Sequence, residues 1–326
     1  MGWRNLLGLA ITWVVVVAFF VCYIGLRLDW EHGRAFASLE NLETVLRQTS
    51  IVAYGAIGMT FVIVSGMIDL SAGSVVAFVT IFSAWILKER NLGPAVAGAG
   101  GLVAGALCGL LNGMLITRLR ISAFIVTLGT LLAFRGCAKW MGNNEGIYPD
   151  ANWLYDLLPK LAPDQRWMIA PIGVWMLVVL ALIANFLLER TVLGRNVVAV
   201  GANEEAARLA GIPPEKVRRT VFLIAGLCLG FAGIMQFSRI RMGDPSVAQG
   251  LELDIIAAVV IGGASLSGGQ GSIAGSLRGA LVIATLRAGT SQAGFQNYVQ
   301  EIVTGAILIG ALALDRIRQE RRAATG

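Results

Sequence analysis

The chain has 326 residues, of which 56% are hydrophobic and only 14% charged, and its mean hydropathy is +0.72. Soluble domains run nearer a quarter charged, so this is the composition of a membrane protein, and the net charge of +6 reflects orientation in a bilayer rather than nucleic-acid binding. A single histidine, His32, excludes His-based metal sites and triads and reads as a solvated loop residue.

From the N-terminus, apolar runs long enough to cross a bilayer predict spans near 5–27, 48–66, 74–88, 94–117, 123–141, 168–188, 220–238, 274–290 and 297–314. The first, with its apolar core Leu6–Leu26, is expected to be an uncleaved span, because no small-x-small cleavage site follows it. Ile255–Ala264 is too short for an ordinary span and ends in Gly/Ser-rich sequence, which predicts a broken or re-entrant segment. The expected fold class is therefore an all-α polytopic membrane protein, with about ten transmembrane or re-entrant helices in one domain over 1–326. Cys22, Cys108, Cys137 and Cys228 lie singly in these runs, without a CxxC pair, and read as small buried hydrophobes. Glycine, present 40 times, suits close helix approach.

Short-loop charge sets the orientation. Arg118 and Arg120, then Arg190, Arg195, Arg208, Lys216, Arg218 and Arg219 in a 189–219 loop, then Arg316, Arg318, Arg321 and Arg322 fall on one side. The acid-bearing 28–47 and 142–166 loops fall on the other, with Asp29, Glu31, Glu40, Glu43, Glu145, Asp150, Asp156 and Asp164. The expectation is a multi-pass inner-membrane protein with both termini cytoplasmic.

Within the 189–219 loop, Gly201–Gly211 reads as a short polar helix near 203–211. Asn203 is placed to cap it, Glu204 and Glu205 favour the positive end of its dipole, and Gly211 can close it. Pro213-Pro214 breaks the chain and starts the next helix. Ala206, Ala207 and Ala210 leave a low-relief face, so the element reads as a docking knob for another protein as well as an inter-helix loop. A weak echo pairs Val64-Ser65-Gly66 and Leu70-Ser71 with Ile261-Gly262-Gly263 and Leu266-Ser267, which hints at internal repeats.

Several segments in order resemble the permease subunits of bacterial ABC importers for ribose and related monosaccharides. They are Val64–Ser74, Leu111-Asn112-Gly113, Phe124–Thr130, Arg135-Gly136, the Gly201–Gly211 loop, Gly262-Gly263 and Gly268–Gly271. The resemblance covers about 45–314 and implies a type II-like importer permease. Its implied partners are a second permease copy or paralogue, cytoplasmic ABC ATPases docking on the 201–211 region, and a periplasmic sugar-binding protein. The chain itself is expected to bind no cofactor and no metal and to do no catalysis; ATP and Mg belong to the partner ATPase. Arg278 departs from the pattern, which leads one to expect a small or apolar residue there.

The ATPase-coupling residues expected from this reading are Gly201, Asn203, Glu204, Glu205, Ala206, Ala207 and Gly211. A carboxylate between two apolar runs marks Asp69, which suits either a cap for the next helix or a place on the substrate path. Ser71, Asn112, Phe124 and Thr127 join it as expected pathway residues. Gln270 is a further neutral group able to bond sugar hydroxyls, while Arg135 and Arg287 read as snorkelling near helix ends. The glycine-rich 262–275 stretch lacks the Gly-Lys-Ser/Thr ending of a phosphate loop. The rival readings are an ion-coupled secondary transporter, for which Asp69 is the one convincing acid, an intramembrane enzyme, and an ABC permease for branched-chain amino acids.

Overall fold

The computed structural model describes residues 3–296, 298–303, 305, 306, 309, 310 and 313, with the backbone alone for 3–10, 163, 164 and 166. Part of the expected 297–314 span and all of the basic tail from Arg316 lie outside the described residues, as does the Asp164 side chain. The helices are α1 (Trp3–Arg27), α2 (Trp30–Phe36), α3 (Leu39–Val64), α4 (Ala72–Lys88), α5 (Pro94–Leu119) and α6 (Ala123–Met141). They continue as α7 (Ile172–Arg190), α8 (Val192–Ala202), α9 (Glu204–Leu209), α10 (Pro214–Ile240), α11 (Leu251–Ile261) and α12 (Ile273–Gln292). Among the described residues there is no strand, only an isolated antiparallel bridge between Ile147 and Gly243.

Among the described residues, five helices, α3, α5, α6, α7 and α10, are long and apolar enough to cross a bilayer. Their arrangement follows from what each presents. Every residue of α3 from Thr49 to Val64 is buried, so α3 is the central post of the bundle. By contrast α6 and α7 turn Ile125, Leu132, Leu182 and Phe186 outward, the faces a lipid environment solvates. α5 and α10 meet along glycines at four-residue spacing. A Cβ added at Gly109 would lie 2.1 Å from the Phe222 carbonyl, and one at Gly226 would lie 2.3 Å from the Gly105 carbonyl. Only residues without a side chain allow the two backbones this close, and the dispersion gained along the seam replaces a hydrophobic drive that lipid does not supply.

Three expectations need correction. The 28–47 segment is mostly helical rather than loop. Asp29 caps α2, accepting from the His32 amide at 2.8 Å, and Ser38 caps α3, which begins at Leu39 and carries Glu40, Glu43 and Arg47 in its first turns. His32 is thus exposed but partnered, its ring Nδ1 also 2.8 Å from Asp29. The 189–219 stretch holds two helices, α8 and α9, not one. Cys108 and Cys228 are buried as expected, whereas Cys22 and Cys137 are exposed on the outward faces of α1 and α6.

Candidate coupling and translocation site

The chemistry-bearing residues gather around two helix breaks. α3 ends at Val64 and α11 at Ile261, and both close in the same way. Gly66 (φ +80°) and Gly263 (φ +94°) take conformations that a side chain disfavours. The Gly66 amide donates to the Ile63 carbonyl at 2.9 Å and the Met67 amide to the Val62 carbonyl at 3.0 Å. The Gly263 and Ala264 amides repeat this with Val260 and Val259 at 2.9 and 3.1 Å. Each pair satisfies carbonyls that a helix C-terminus leaves open. The Val64-Ser65-Gly66 and Ile261-Gly262-Gly263 echo is therefore a repeated structural device.

The first break, 65–71, is closed by side chains. Asp69, 1% exposed, accepts from the Ser71 amide at 2.8 Å and the Ser71 hydroxyl at 2.6 Å. It thereby caps the entry to α4, whose own flanking residue Ser71 makes no side-chain cap. From α5, Asn112 Nδ2 donates to Ser71 Oγ at 2.9 Å, while Asn112 Oδ1 has no partner among the described residues. Thr127 of α6 is buried, donates to the Ala123 carbonyl at 2.8 Å and lies 3.4 Å from the Ile68 carbonyl. Asp69, Ser71 and Asn112 thus form one buried hydrogen-bonded group, and Thr127 lies beside it at the Ile68 carbonyl. Phe124 does not join them; it is 51% exposed on the outward face of α6.

The second break, 262–272, is folded by its glycines, with the Ser265 and Ser267 hydroxyls 2.8 Å apart inside it. Gly268 and Gly269, with φ of +86° and +73°, turn it back so that the Gly269 amide donates to the Val64 carbonyl at 2.8 Å. The two breaks are tied directly at this bond. Gln270 is exposed on the same turn, and its carbonyl accepts from the Ser265 amide at 3.0 Å.

α8 ends on this junction. A Cβ added at Gly201 would meet the Val64 carbonyl at 1.8 Å and the Gly269 amide at 2.8 Å. Gly201 therefore belongs to the packed end of α8 and not to the exposed polar helix. α9 follows at once: the Asn203 side chain accepts from the Ala206 amide at 2.9 Å, and Gly211 (φ +81°) closes the helix, with the Ile212 amide on the Ala207 carbonyl at 3.0 Å. Glu204 pairs with Arg208 at 3.2 Å and with Arg218 of α10, fixing the helix to the bundle. Ala207 is buried, so it does not share the outward face with Ala206. That face carries Glu205, Ala206 and Leu209. Leu209 is 86% exposed and was not singled out in the sequence, although a lone leucine in a polar capped helix is the available signal.

Two arginines read as snorkelling are held internally. Arg135 Nη1 donates to the Pro245 and Val247 carbonyls at 2.9 and 2.6 Å, pinning the 241–250 loop. Arg287 lies 2.6 Å from Asp254 of α11, a carboxylate whose place in an apolar run conceals it from a reading of sequence alone. Arg278 is half-buried in α12, and its Nη1 has no partner among the described residues.

Residues 41–312 match the family model described as branched-chain amino acid transport system / permease component. The L-arabinose ABC transporter permease protein AraH of Azospirillum brasilense is 37% identical over 78% of this chain and 73% of its own length. The ribose import permease protein RbsC of Escherichia coli (strain K12) is 38% identical over 72% of this chain and 73% of its own. The probable ABC transporter permease protein YphD of Escherichia coli (strain K12) is 37% identical over 79% and 74%. No solved structure matches the chain.

Proposed function

This chain belongs to the family of permease components described for branched-chain amino acid transport systems, and from that premise we propose that it is the membrane permease subunit of an ATP-driven importer for a monosaccharide. The cargo class is a ribose-like pentose, a hexose or a related polyol. Similarity to permeases named for ribose and L-arabinose supports a sugar over a branched-chain amino acid and over an ion-coupled carrier. In this reading a cytoplasmic ABC ATPase holds ATP and Mg, a periplasmic binding protein delivers the sugar, and a second permease copy or paralogue completes the path. α8 and α9 face the cytoplasm, as do both termini, in keeping with the arginines of the α5–α6 turn and of 189–219.

One observation carries the mechanism: the exposed helix α9 is continuous with a helix, α8, whose last turn sits without clearance on both breaks at Val64 and Gly269. Close-packed contacts transmit displacement instead of absorbing it. Movement of the ATPase displaces α9; α8 carries that displacement to the junction, and the two breaks shift α4 and α12 against α3. Sugar then passes the buried Asp69, Ser71, Asn112 and Thr127 group, whose hydroxyl, amide and carboxylate groups can exchange hydrogen bonds with its own.

The reading is tested at the outward face of α9. Leu209→Glu combined with Glu205→Lys should lower recovery of the ATPase with the purified permease at least tenfold while thermal unfolding of the permease stays unchanged. Retention of the ATPase at the parental level would contradict the docking role.

A further inference from the structure

At the other end of α3 from the junction lies a second polar region that this mechanism does not use. Gln48 and Val64 are separated by sixteen residues of α3, about 24 Å at the helical rise. There a cavity of about 310 Å³ is lined by Gln48 of α3, Gln236 and Arg239 of α10, Asp254 of α11, and Arg287 and Ser291 of α12. Sites for small molecules begin near this size, at ~300 Å³.

The cavity is built around charge that its own residues leave incompletely satisfied. Asp254 is 0% exposed and Gln236 is buried. Arg287 lies 2.6 Å from Asp254 Oδ2 as an ion pair, and neither Asp254 oxygen nor Arg287 Nε makes a hydrogen bond among the described residues. Asp254 is closed against solvent beside Arg287, and Gln48, Gln236, Arg239 and Ser291 share the lining, so two guanidiniums, two amides and a hydroxyl surround one carboxylate. Donors and acceptors set this closely suit a ligand rich in hydroxyls: a vicinal diol accepts from the guanidiniums and exchanges hydrogen bonds with the Gln48 and Gln236 amides.

The floor of the cavity also points to a route. Ala248 lines it, and the Ala248 carbonyl and Glu252 carboxylate press on Gly73 in the first turn of α4, where an added Cβ would lie 2.3 and 2.2 Å from them. Gly73 is two residues beyond Ser71, so Ala248 touches both the cavity and the helix that begins beside the Asp69 group.

We propose that this cavity is the entry site at which the permease receives a monosaccharide from outside, with the Asp254–Arg287 pair as its sugar-binding floor. The inference rests on the permease reading and adds to it the residues that take up the cargo.

The test is ATP-driven uptake by proteoliposomes holding the complete assembly, using labelled D-ribose, L-arabinose, D-xylose, D-galactose and D-glucose. Asp254→Leu with Arg287→Met removes the polar floor but keeps a packed pair, an exchange that buried ion pairs generally tolerate. Uptake of the transported sugar should fall at least tenfold, with ATPase association and thermal unfolding as in the parent. In a second measurement, a membrane-impermeant maleimide added outside should label Ser291→Cys, and the transported sugar, but not leucine, should slow labelling at least threefold. That protection should vanish in the Leu/Met background. Parental uptake by the Leu/Met variant, or labelling that no sugar slows, overturns the entry site while leaving the permease reading intact. A parent assembly that carries none of the sugars overturns both.

Discussion

The two helix breaks begin alike and finish differently. Both end a buried helix on a glycine with positive φ and the same pair of amide-to-carbonyl bonds. After that, the first is filled by side chains, with Asp69, Ser71 and Asn112 locked to one another. In the second, glycines fold the backbone onto Val64 and onto the end of α8, and the Ser265 and Ser267 hydroxyls lie 2.8 Å apart within the turn. The difference separates two tasks that a transporter has to keep apart. A break closed by polar side chains can exchange hydrogen bonds with cargo. One whose backbone packs directly on the end of α8 can be pushed, because the contact at Gly201 leaves no clearance.

This division is open to attack at each end, beginning with the caps. Gly66→Ala meets no atom nearer than 3.7 Å, so its cost is backbone strain alone, about 1–2 kcal/mol. Gly263→Ala, at φ +94°, lies farther from the left-handed minimum near +57° and should cost more. Thermal unfolding in detergent should rank Gly263→Ala below Gly66→Ala in stability; equal midpoints would mean that the shared cap is not held by the glycines.

Asn203→Ala probes the lever and neither break. It removes the cap bond to Ala206 and should destabilise α9 locally by ~1 kcal/mol. Since α9 is exposed, global unfolding should barely move while hydrogen exchange over 204–209 quickens and uptake declines two- to fivefold. Unchanged exchange there would show that Glu204 and its arginines hold the helix without the cap.

Asn112→Ala should be the mildest for stability. It loses one bond to Ser71, worth about 1 kcal/mol, but also removes a buried amide oxygen that has no partner among the described residues. The two effects offset, so the unfolding midpoint should shift little while uptake falls several-fold. Substantial destabilisation with normal uptake would make Asn112 a structural clamp.

How far the sequence carried can be judged from the same elements. Helix ends were legible where chemistry is local: Asn203 and Gly211 bracket α9, Pro214 starts α10, and the glycines after Val64 and Ile261 mark both breaks. Asp69 with Ser71 was legible for the same reason, as an acid three residues before the helix it caps. Contacts between distant segments were not. Asp254 sits within an apolar run and meets its arginine only because α11 folds back along α12. Gly201 read as part of a docking knob because sequence gives a glycine no direction; its partners, Val64 and Gly269, come from opposite parts of the chain. The early start of α3 was hidden by Glu40, Glu43 and Arg47, which interrupt its apolar pattern. Phe124, an aromatic beside a polar group in sequence, faces outward from the bundle, a direction that sequence alone does not assign.

The central claim is that α8 passes movement from a docked ATPase to both breaks through Gly201. The direct measurement is sugar transported per ATP hydrolysed by the reconstituted assembly carrying Gly201→Ala, whose new methyl cannot fit 1.8 Å from the Val64 carbonyl unless α8 shifts. The account predicts an ATPase that stays bound and hydrolyses ATP while the transport ratio drops at least tenfold. A parental ratio in that variant would contradict it.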